Sequence, residues 1–376
     1  MAEHFFITGG TGLVGSQLLP RILRAFPDSS LTLLVRGEDD AEVAARIAGI
    51  ATRLEGEEGI TGARSRLRGL RGDVMEEDFG LSPPTVDRLV RETTYLVHGA
   101  ATIRFDHPIG EARAINCGGT RRALSLARRC ADRGNFRRFV YIGTSSVSGQ
   151  RGGRITEDEL EMGQAFFNTY EQSKCESERL VRDDFTSVPA VVFRPSIIIG
   201  DSRTGKTASF NVIYIPLRLV QRGLLSFVPG SPATKMDLVP VDWVDDVMVH
   251  IMGKEEANGK VCHVTAGPDR AAPLGEVVLT ATAFFDRHTP AAGPRTMEFI
   301  TREEFDRRRK LTRGREEALL GQLDTLLPYV SVDRLFDARN TDALLSGSGI
   351  AFPRFRDYAE QILRYCIDTQ WGKHAP

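Results

Sequence analysis

The sequence is short of the features that mark several large protein classes. Its 376 residues include 5 cysteines, which lie far apart with no CxxC pair, so neither a disulfide framework nor a zinc site is expected. Lysine plus arginine number 49 and aspartate plus glutamate 50, and the missing basic excess argues against a nucleic-acid binder. No apolar run approaches the roughly 20 residues of a membrane span, and the start, MAEHFFITGG, shows no signal-peptide pattern. We therefore expect a cytoplasmic protein without a transmembrane anchor or a metal site.

What is present is typical of a globular chain, with 41% apolar and 26% charged residues. Through the first 200 residues, short apolar runs alternate with amphipathic stretches, which predicts alternating strands and helices. The predicted strands cover 4–8, 31–35, 95–99, 139–142 and 190–193, and the predicted helices cover 13–26, 40–54 and 111–133. This alternation predicts an α/β fold with a doubly wound parallel sheet.

TGGTGLVG at residues 8–15 places glycines at 9, 12 and 15 between a predicted strand and a predicted helix. In such a loop Gly9 allows a tight turn, Gly12 lets the backbone approach a pyrophosphate, and Gly15 lets helix and strand pack closely. The helix N-terminus then offers N–H groups to the phosphates. An ordinary turn is the alternative, but the strand and helix on either side favour a dinucleotide site.

Arg36 directly follows the second predicted strand, where an NAD site usually has an acidic residue. A guanidinium there suits a 2′-phosphate, which it can hold with two parallel hydrogen bonds. Arg46, in the next predicted helix, is expected to add a second contact. The residues therefore favour NADPH over NADH, with a solvated surface arginine as the alternative and Glu38 and Asp39 as evidence against.

Tyr170 and Lys174 lie four residues apart in NTYEQSKCESERL and so share one face of a predicted helix. A neighbouring ammonium is expected to lower the pKa of a tyrosine from about 10, which suits Tyr170 for acid–base catalysis. Thr144 ends a predicted strand in VYIGTSSVSG, at the edge where parallel sheets bind ligands. Ser145 and Ser146 are close alternatives to Thr144.

The GxxGxxG spacing and the order of these motifs resemble the extended branch of the short-chain dehydrogenase/reductase superfamily. In that branch Thr144 matches the catalytic Ser or Thr. Asn116, in INCGGT, matches the asparagine that supports the lysine through water, and Asp73, in RGDV after a third strand, matches an adenine-contacting aspartate. A helix asparagine bonded to backbone and a strand-end turn residue are the respective alternatives.

The pattern loosens from about residue 200, and the extended branch joins a Rossmann domain to a smaller substrate domain. We therefore expect an NADP-binding Rossmann domain over residues 1–200, to which 237–266 returns. Residues 201–236 and 267–376 are expected to form a substrate-binding cap.

FRPSIIIGDSRTGKT at 193–207 resembles the thioester reductases and fatty acyl-CoA reductases, the male-sterility-type members of the extended branch. DLVPVDWVDDV at 237–247 and LVRGEDDAEVAARI at 34–47 also fit them, and the resemblance covers residues 4–270. It implies NADPH-dependent reduction of an acyl thioester, carried by coenzyme A or by the phosphopantetheine of a carrier protein, to an aldehyde. The hydroxyls of Thr144 and Tyr170 are implied to donate to the reacting oxygen. Whether the aldehyde is reduced further to the alcohol is left open.

These arguments together give a set of expected site residues. His98, in HGAA, is expected to be structural. The expected catalytic residues are Thr144, Tyr170, Lys174 and Asn116. The expected cofactor contacts are Thr8, Gly9, Gly12, Leu13, Val14, Gly15, Arg36, Arg46, Asp73, Val74, Ala100, Lys174, Arg194, Pro195, Ser196 and Ile197. The expected substrate-lining residues are Ser145, Ser146, Asp201 and Ser202.

Two other functions fit the same motifs. A carbonyl reductase or dehydrogenase, or a nucleotide-sugar epimerase, would use the same glycine loop and catalytic residues. Arg36 argues against the epimerases, which usually hold NAD tightly, and the segment at 193–207 argues against both. A non-catalytic NADPH sensor is disfavoured because it has no need of Tyr170 and Lys174.

Two further segments have two readings each. The apolar segment 208–229 fits either an acyl tunnel or lipid-facing surface, or the core of the cap, and the core is favoured. The charged run 301–317 fits either a docking site for a carrier protein or for coenzyme A phosphates, or a solvated helix, and the solvated helix is favoured. The oligomeric state is not predicted.

Overall fold

A computed structural model describes residues 2–210, 212–289, 295–314, 317, 320–325, 327–330 and 332–374. Its main feature is a seven-stranded sheet in the order β12-β7-β5-β4-β1-β2-β3. All six strand pairs are parallel. The strands are β1 His4–Thr8, β2 Ser30–Val35, β3 Leu67–Arg71, β4 Tyr95–His98, β5 Arg138–Ile142, β7 Ala190–Pro195 and β12 Lys260–Val264. The predicted doubly wound α/β fold is confirmed.

Helices cover both faces of this sheet, as a parallel sheet buried on both sides requires. The helices in this layer are α1 Leu13–Ala25, α2 Asp40–Gly56, α3 Ala63–Arg66, α4 Pro83–Glu92, α5 Ile109–Ala131, α6 Thr169–Asp183 and α8 Val241–Met252. One apolar cluster packs the sheet against α1, α2 and α8. Another packs it against α4, α5 and α6. The chain order reverses between β1 and β4, which is where ligands bind in open α/β sheets.

A separate apolar core forms beyond the carboxyl end of the sheet. It contains helices α7 Tyr214–Gln221, α9 Leu274–His288, α10 Arg302–Leu311, α11 Leu327–Val330 and α13 Phe355–Asp368, while α12 Arg339–Leu345 packs elsewhere. Four two-stranded ladders accompany these cores. They pair β6 Gly153–Ile155 with β15 Arg334–Phe336, β8 Ile197–Ile199 with β11 Leu238–Pro240, β9 Phe227–Pro229 with β14 Glu298–Ile300, and β10 Lys235–Met236 with β13 Ala272–Pro273.

The expected division into a Rossmann domain and a cap stays a prediction, and one segment departs from it. α8 and β12 lie in the main sheet layer, as expected of residues 237–266. α12, which was assigned to the cap, instead packs on β12 and α8, and its Leu344 belongs to the core of the main sheet. The 3₁₀ helices are Glu77–Gly80, Ser145–Ser148, Glu255–Ala257 and Gln322–Thr325.

The cysteine side chains lie inside the protein, and all five are buried free thiols. Among the described residues, no helix is both long enough and apolar enough to traverse a bilayer.

Candidate active site

The glycine loop between β1 and α1 explains why its glycines are needed. Gly9 has φ +75°, and a Cβ there would lie 2.5 Å from the Gly99 carbonyl carbon, so the turn beside the end of β4 admits only glycine. A Cβ on Gly15 would collide with the Gly9 carbonyl oxygen. Gly12 is different, because a Cβ there would meet only the Gly9 carbonyl oxygen, at 3.3 Å. The protein itself thus leaves space at Gly12, as expected where a ligand approaches the backbone.

The N-terminus of α1 is open to an anion. The helix begins at Leu13, and its N-cap Gly12 has no side chain to bond the first N–H groups, which include that of Val14. Unpaired N–H groups and the positive end of the helix dipole favour a phosphate. The loop and the helix start therefore fit a dinucleotide pyrophosphate, and Leu13 also lines the cleft described below.

Thr8 and His98 hold the carboxyl ends of β1 and β4 together. The Thr8 hydroxyl lies 2.8 Å from His98 Nδ1 and accepts from the Ala100 N–H at 3.3 Å. His98 Nε2 lies 3.2 Å from the Thr120 hydroxyl, and burial lowers the pKa of His98 to about 3. His98 is therefore a neutral, structural residue, and Thr8 fixes the backbone of Ala100 beside the glycine loop.

Arg36 is exposed immediately after β2, and its guanidinium forms no ion pair with the residues that the structure describes. Arg46 lies beside it, donating to the Arg36 carbonyl oxygen at 2.9 Å and pairing with Glu42 at 2.5 Å. Asp39, which counted against NADPH, accepts from the Glu42 N–H at 2.8 Å as the N-cap of α2. Its carboxylate is therefore already used at the helix start.

Asp73 forms a turn after β3. Its carboxylate accepts from the Met75 N–H at 2.9 Å, and its own N–H donates to the Phe79 carbonyl oxygen at 3.0 Å. Val74 is buried against Gly119, where a Cβ would lie 3.2 Å from the valine side chain. The turn role proposed as the alternative for Asp73 is thus present, while contact of Asp73 or Val74 with an adenine stays a prediction.

Thr144 and Tyr170 face the same cleft from two elements. Thr144 is the N-cap of the 3₁₀ helix after β5, and its hydroxyl accepts from the Ser146 N–H at 3.2 Å. Burial raises the pKa of Tyr170 to about 12, and hydrogen bonding with Thr144 opposes this rise. The expected lowering of this pKa by Lys174 is not found in the structure. Tyr170 is consequently a protonated hydroxyl at neutral pH.

Lys174 lies one helical turn after Tyr170 and is 4% exposed. Its ammonium donates to the Ile142 carbonyl oxygen at 2.8 Å and lies 4.3 Å from the centre of the Tyr141 ring. Burial lowers the pKa of Lys174 to about 7, with Glu178 opposing. The groups that shift the pKa of Tyr170 besides burial are Thr144 and Glu171, while Lys174 bonds at the end of β5.

Asn116 is buried in α5 and joins the loop after β4 to α6. Its Oδ1 accepts from the Thr102 N–H at 2.8 Å, and its Nδ2 donates to the Ser173 hydroxyl at 2.9 Å. Ser173 directly precedes Lys174. The backbone-bonded alternative for Asn116 is thus present, and a link to Lys174 through water stays a prediction.

The cleft at this site has a volume of about 480 Å³. Its polar lining consists of Thr144, Ser146, Tyr170, Ser196 and Ser209, together with Arg104 and Asp106. Its walls are mostly apolar or aromatic, contributed by Leu13, Ile103, Phe105, Ile197, Ile198, Val212, Tyr214, Ile215 and Tyr329. We call this space the catalytic cleft. It brings Thr144 and Tyr170 together with the start of α1, and it includes Ser146 but not Ser145.

Arg194 does not fit the expected cofactor contact through its side chain. It is fully buried and donates to both oxygens of Glu178, at 2.8 and 2.7 Å, and to the Glu159 carbonyl oxygen at 2.7 Å. Its remaining nitrogen lies 3.1 Å from His263 Nε2. A sequence motif cannot show that these partners already engage all three nitrogens of the guanidinium. The residues after it behave differently, because Ser196 and Ile197 line the catalytic cleft while Pro195 ends the buried β7.

The catalytic cleft does not include Asp201 or Ser202, and their place in the substrate site stays a prediction. Asp201 accepts from the backbone of Arg203 and Thr204 at 3.0 and 2.9 Å, which closes a local turn. Ser202 donates to Asp242 through both its N–H and its hydroxyl, at 2.8 and 2.6 Å. Both side chains therefore hold the loop to α8, and neither lines the catalytic cleft.

Sequence reasoning missed a group of polar residues beside Tyr170. Glu171 directly follows Tyr170 within NTYEQSKCESERL. Tyr329 and Arg334 have no motif around them and reach the site from a distant part of the chain. Glu171 is fully buried, its Oε2 accepts from the Phe167 N–H at 3.0 Å, and its Oε1 has no partner. Burial raises the pKa of Glu171 to about 7. Tyr329 interacts with Ser146, Tyr170 and Glu171.

The structure shows the surroundings of the two segments for which the sequence left two interpretations. Residues 208–229 contribute Leu219 and Val220 to the cap core, as favoured, but Val212 and Ile215 also line the catalytic cleft. α10, in the run 301–317, is laced with ion pairs such as Arg308 with Glu304 at 2.8 Å. This matches the favoured solvated helix, and residues 315 and 316 of that run lie outside the described residues.

Comparison with known proteins agrees with this geometry. The family model described as male sterility protein matches residues 7–248. A fatty acyl-CoA reductase of Drosophila melanogaster is 25% identical over 268 residues, 63% of this chain and 51% of the relative. The large subunit of L-2-aminoadipate reductase from Penicillium chrysogenum is 27% identical, over 70% of this chain and 19% of the relative. The chain thus spans about half of the first relative's length and a fifth of the second's.

Solved structures give the same fold. The terminal R domain of the myxalamid biosynthetic pathway is similar with a TM-score of 0.82 and 25% identity, covering 100% of this chain and 93% of that domain. A UDP-N-acetylglucosamine 4-epimerase from Methanobrevibacter ruminantium is similar with a TM-score of 0.59 at 14% identity, which shows the shared fold alone, over 99% of both chains. Since the family model covers well over half of the sequence, the chain belongs to the male sterility protein family, a nicotinamide-dinucleotide-binding family of extended short-chain dehydrogenases/reductases.

Proposed function

We propose that this protein is an oxidoreductase that uses NADPH to reduce an acyl thioester to an aldehyde and a free thiol. The observation that carries the proposal is the catalytic cleft itself. The cleft has a volume of about 480 Å³ and mostly apolar walls. It contains the two protonated hydroxyl donors, Thr144 and Tyr170, and reaches the start of the dinucleotide-binding helix. An acyl chain is a suitable occupant, because ligand sites combine apolar walls with a few placed polar groups.

The chemistry follows from the positions of the two hydroxyls. A bound nicotinamide supplies hydride to the thioester carbonyl carbon. As that carbon is reduced, negative charge develops on the carbonyl oxygen, and the hydroxyls of Thr144 and Tyr170 donate to it. The raised pKa of Tyr170, about 12, keeps its proton in place for this donation. The hemithioacetal then collapses, the C=O double bond re-forms as the C–S bond breaks, and the leaving thiolate becomes a thiol with one proton taken up from solvent.

Lys174 and Asn116 hold the neighbouring strand end and loop of this site in position. Lys174 bonds to the Ile142 carbonyl oxygen two residues before Thr144, so it fixes the strand end that carries the hydroxyl. Asn116 ties α6 to the loop that carries Ile103 and Phe105. Contact of Lys174 with a nicotinamide ribose is part of the proposal.

The preference for NADPH rests on Arg36. Its exposed guanidinium lies at the end of β2 without an ion pair among the described residues, and Asp39 is engaged as a helix cap. A 2′-phosphate would give this charge a partner. Arg46 already pairs with Glu42, so it contributes less.

The thioester is proposed to arrive on phosphopantetheine, either in acyl-CoA or on a carrier protein. The names of the relatives support both sources, since one is a fatty acyl-CoA reductase and the myxalamid R domain is part of a multidomain synthetase pathway. The buried free cysteines support a reducing, cytoplasmic location.

The test is NADPH oxidation by purified protein with acyl-CoAs of increasing length and, in parallel, with the matching aldehydes. Thiol release that equals NADPH consumed establishes reduction to the aldehyde, and twice as much NADPH as thiol establishes the alcohol. Oxidation with aldehydes alone would make the protein a carbonyl reductase and refute the proposal. Carrier-loaded acyl groups repeat the measurement if free acyl-CoA is inert, and inactivity with both refutes it as well.

A further inference from the structure

A small chamber of about 30 Å³ adjoins the catalytic cleft. The two spaces share Ser146, Ser196, Ile197 and Tyr329 as walls. The chamber adds Ser145, Lys235, Asp237 and Arg334, together with the apolar Val332 and Phe336, so its lining is more polar than that of the cleft. We call it the side chamber. Its volume suits one water or a group of similar size, since a water needs about 10–15 Å³ measured in this way.

Arg334 and Lys235 give the side chamber two positive groups. Arg334 is 7% exposed, donates to the Pro328 carbonyl oxygen at 2.8 Å and lies 5.4 Å from the centre of the Phe167 ring, and its buried Nε has no hydrogen-bond partner among the described residues. Lys235 is part-buried in β10. Neither side chain forms an ion pair with the described residues. A buried cation without a counter-ion is costly, so the placement of Arg334 beside a substrate cleft, with Lys235 on the same chamber wall, points to a ligand that supplies the missing charge.

The two buried acidic groups nearby, Asp237 and Glu171, do not supply it. Asp237 accepts from the Ser196 hydroxyl at 2.5 Å, the Ala266 N–H at 2.8 Å and the Gly267 N–H at 3.2 Å, so its carboxyl is satisfied by donors other than the two cations. Glu171 interacts with Arg334 at longer range. Burial raises the pKa of Glu171 to about 7, which weakens this carboxyl group as a counter-ion for the guanidinium.

We infer that the side chamber binds a carboxylate on the acyl group, so that this enzyme prefers thioesters whose acyl chain carries an acidic group. The chain of such a substrate lies along the apolar cleft, and its carboxylate enters the chamber between Arg334 and Lys235. Hydroxyls of Ser145 and Tyr329 are placed to donate to the same group. This inference rests on the proposed function, because it names the class of acyl group for that reaction.

The experiment compares matched pairs of CoA thioesters that end in a methyl group or a carboxylate: hexanoyl with adipoyl, octanoyl with suberoyl, and decanoyl with sebacoyl. The ratio of kcat/KM within each pair is measured for wild type, Lys235→Met and Arg334→Lys. Lys254→Met is the matched control, since Lys254 is also part-buried but lines a different groove. Melting temperature and the NADPH Kd are recorded for each variant to show that it folds.

For wild type we expect the carboxylate substrate to be favoured about tenfold or more at the best chain length, the effect of one charge-assisted contact. Lys235→Met should bring that ratio to about one or below, Arg334→Lys should give an intermediate ratio, and Lys254→Met should keep the wild-type ratio. A wild-type preference for the methyl substrates, or a ratio that Lys235→Met leaves unchanged, would overturn the inference. If no thioester is reduced, the proposed function has failed, and the same ratio measured with hexanal and 6-oxohexanoate decides on the side chamber separately.

Discussion

The nucleotide side and the acyl side of the active site are built in different ways. The nucleotide side comes from strand ends and one helix start within the first 100 residues, and its shape depends on where a Cβ is absent, as at Gly9 and Gly15. The acyl side is assembled from short segments that lie far apart in the chain, including Thr144, Tyr170 and Tyr329. Glycines that the backbone conformation requires therefore leave a local pattern in the sequence, whereas a pocket wall made of side chains from distant segments leaves none.

The largest expected effect lies where the two sides meet. Tyr170→Phe removes the hydroxyl that donates to the reacting oxygen and should lower kcat by about 10²–10⁴-fold. NADPH affinity should change little, because Tyr170 is not part of the glycine loop. Single-turnover NADPH oxidation beside a fluorescence titration of NADPH measures both. A variant that keeps full turnover would show that Tyr170 is not the proton donor.

A pair of glycine variants tests whether the nucleotide side is truly set by backbone. Gly9→Ala places a Cβ 2.5 Å from the Gly99 carbonyl carbon at φ +75°, so both melting temperature and NADPH affinity should fall, the latter by about 100-fold. Gly12→Ala meets only one atom at 3.3 Å and should weaken NADPH binding while the melting temperature stays close to wild type. Gly49→Ala, inside α2 with nothing within 4 Å, is the control and should stabilise by about 1 kcal/mol. Equal loss of stability in both loop variants would mean that position 12 serves the fold rather than a ligand.

The cofactor preference is the next smaller effect. Arg36→Gln removes the charge proposed to hold a 2′-phosphate and should lower the ratio of kcat/KM for NADPH over NADH by about 10–100-fold. Arg46→Gln should lower it less, since Arg46 is paired with Glu42. If the ratio is unchanged in Arg36→Gln, the residue at the end of β2 does not determine which cofactor the protein prefers.

The smallest expected effect comes from the buried carboxyl group of Glu171 on the acyl side. Burial raises the pKa of Glu171 from 4.5 to about 7, so between these values the folded state binds more protons than the unfolded state and stability falls as pH rises. Glu171→Gln lacks this titration. The melting temperature of the variant minus that of wild type should therefore increase by a few degrees from pH 4.5 to pH 8, measured by calorimetry. A difference that is constant with pH would show that Glu171 does not titrate in this window.

Much of the fold was predictable because its central elements have strong local signals. The strands β1, β2, β4, β5 and β7 are short apolar runs, as buried parallel strands must be. α1 ends at Ala25, shortly before Pro27, which cannot continue a helix. The ladders of two or three residues, such as β9 with β14, were not predicted, because pairing between distant segments carries no periodicity.

The candidate site divides in the same way. The positions of Gly9, Thr144 and Tyr170 could be predicted since each is tied to the end of an element. The side-chain contacts of Arg194 could not be predicted because its partners, Glu178 and His263, come from α6 and β12. The motif around Asp201 likewise did not show that its carboxylate closes a turn onto its own neighbours.

The pairing of β6 with β15 has a consequence for how the protein forms. Gly153 pairs with Arg334 and Ile155 with Phe336, a contact between segments about 180 residues apart, and the loss of chain entropy that it requires makes it slow. Most of the large sheet needs only residues up to Pro195, so it can assemble while later residues are still being synthesised. Tyr329 and Arg334 arrive last. Cofactor binding should therefore appear earlier during refolding than turnover, with the interval between them set by the closing of this single short ladder.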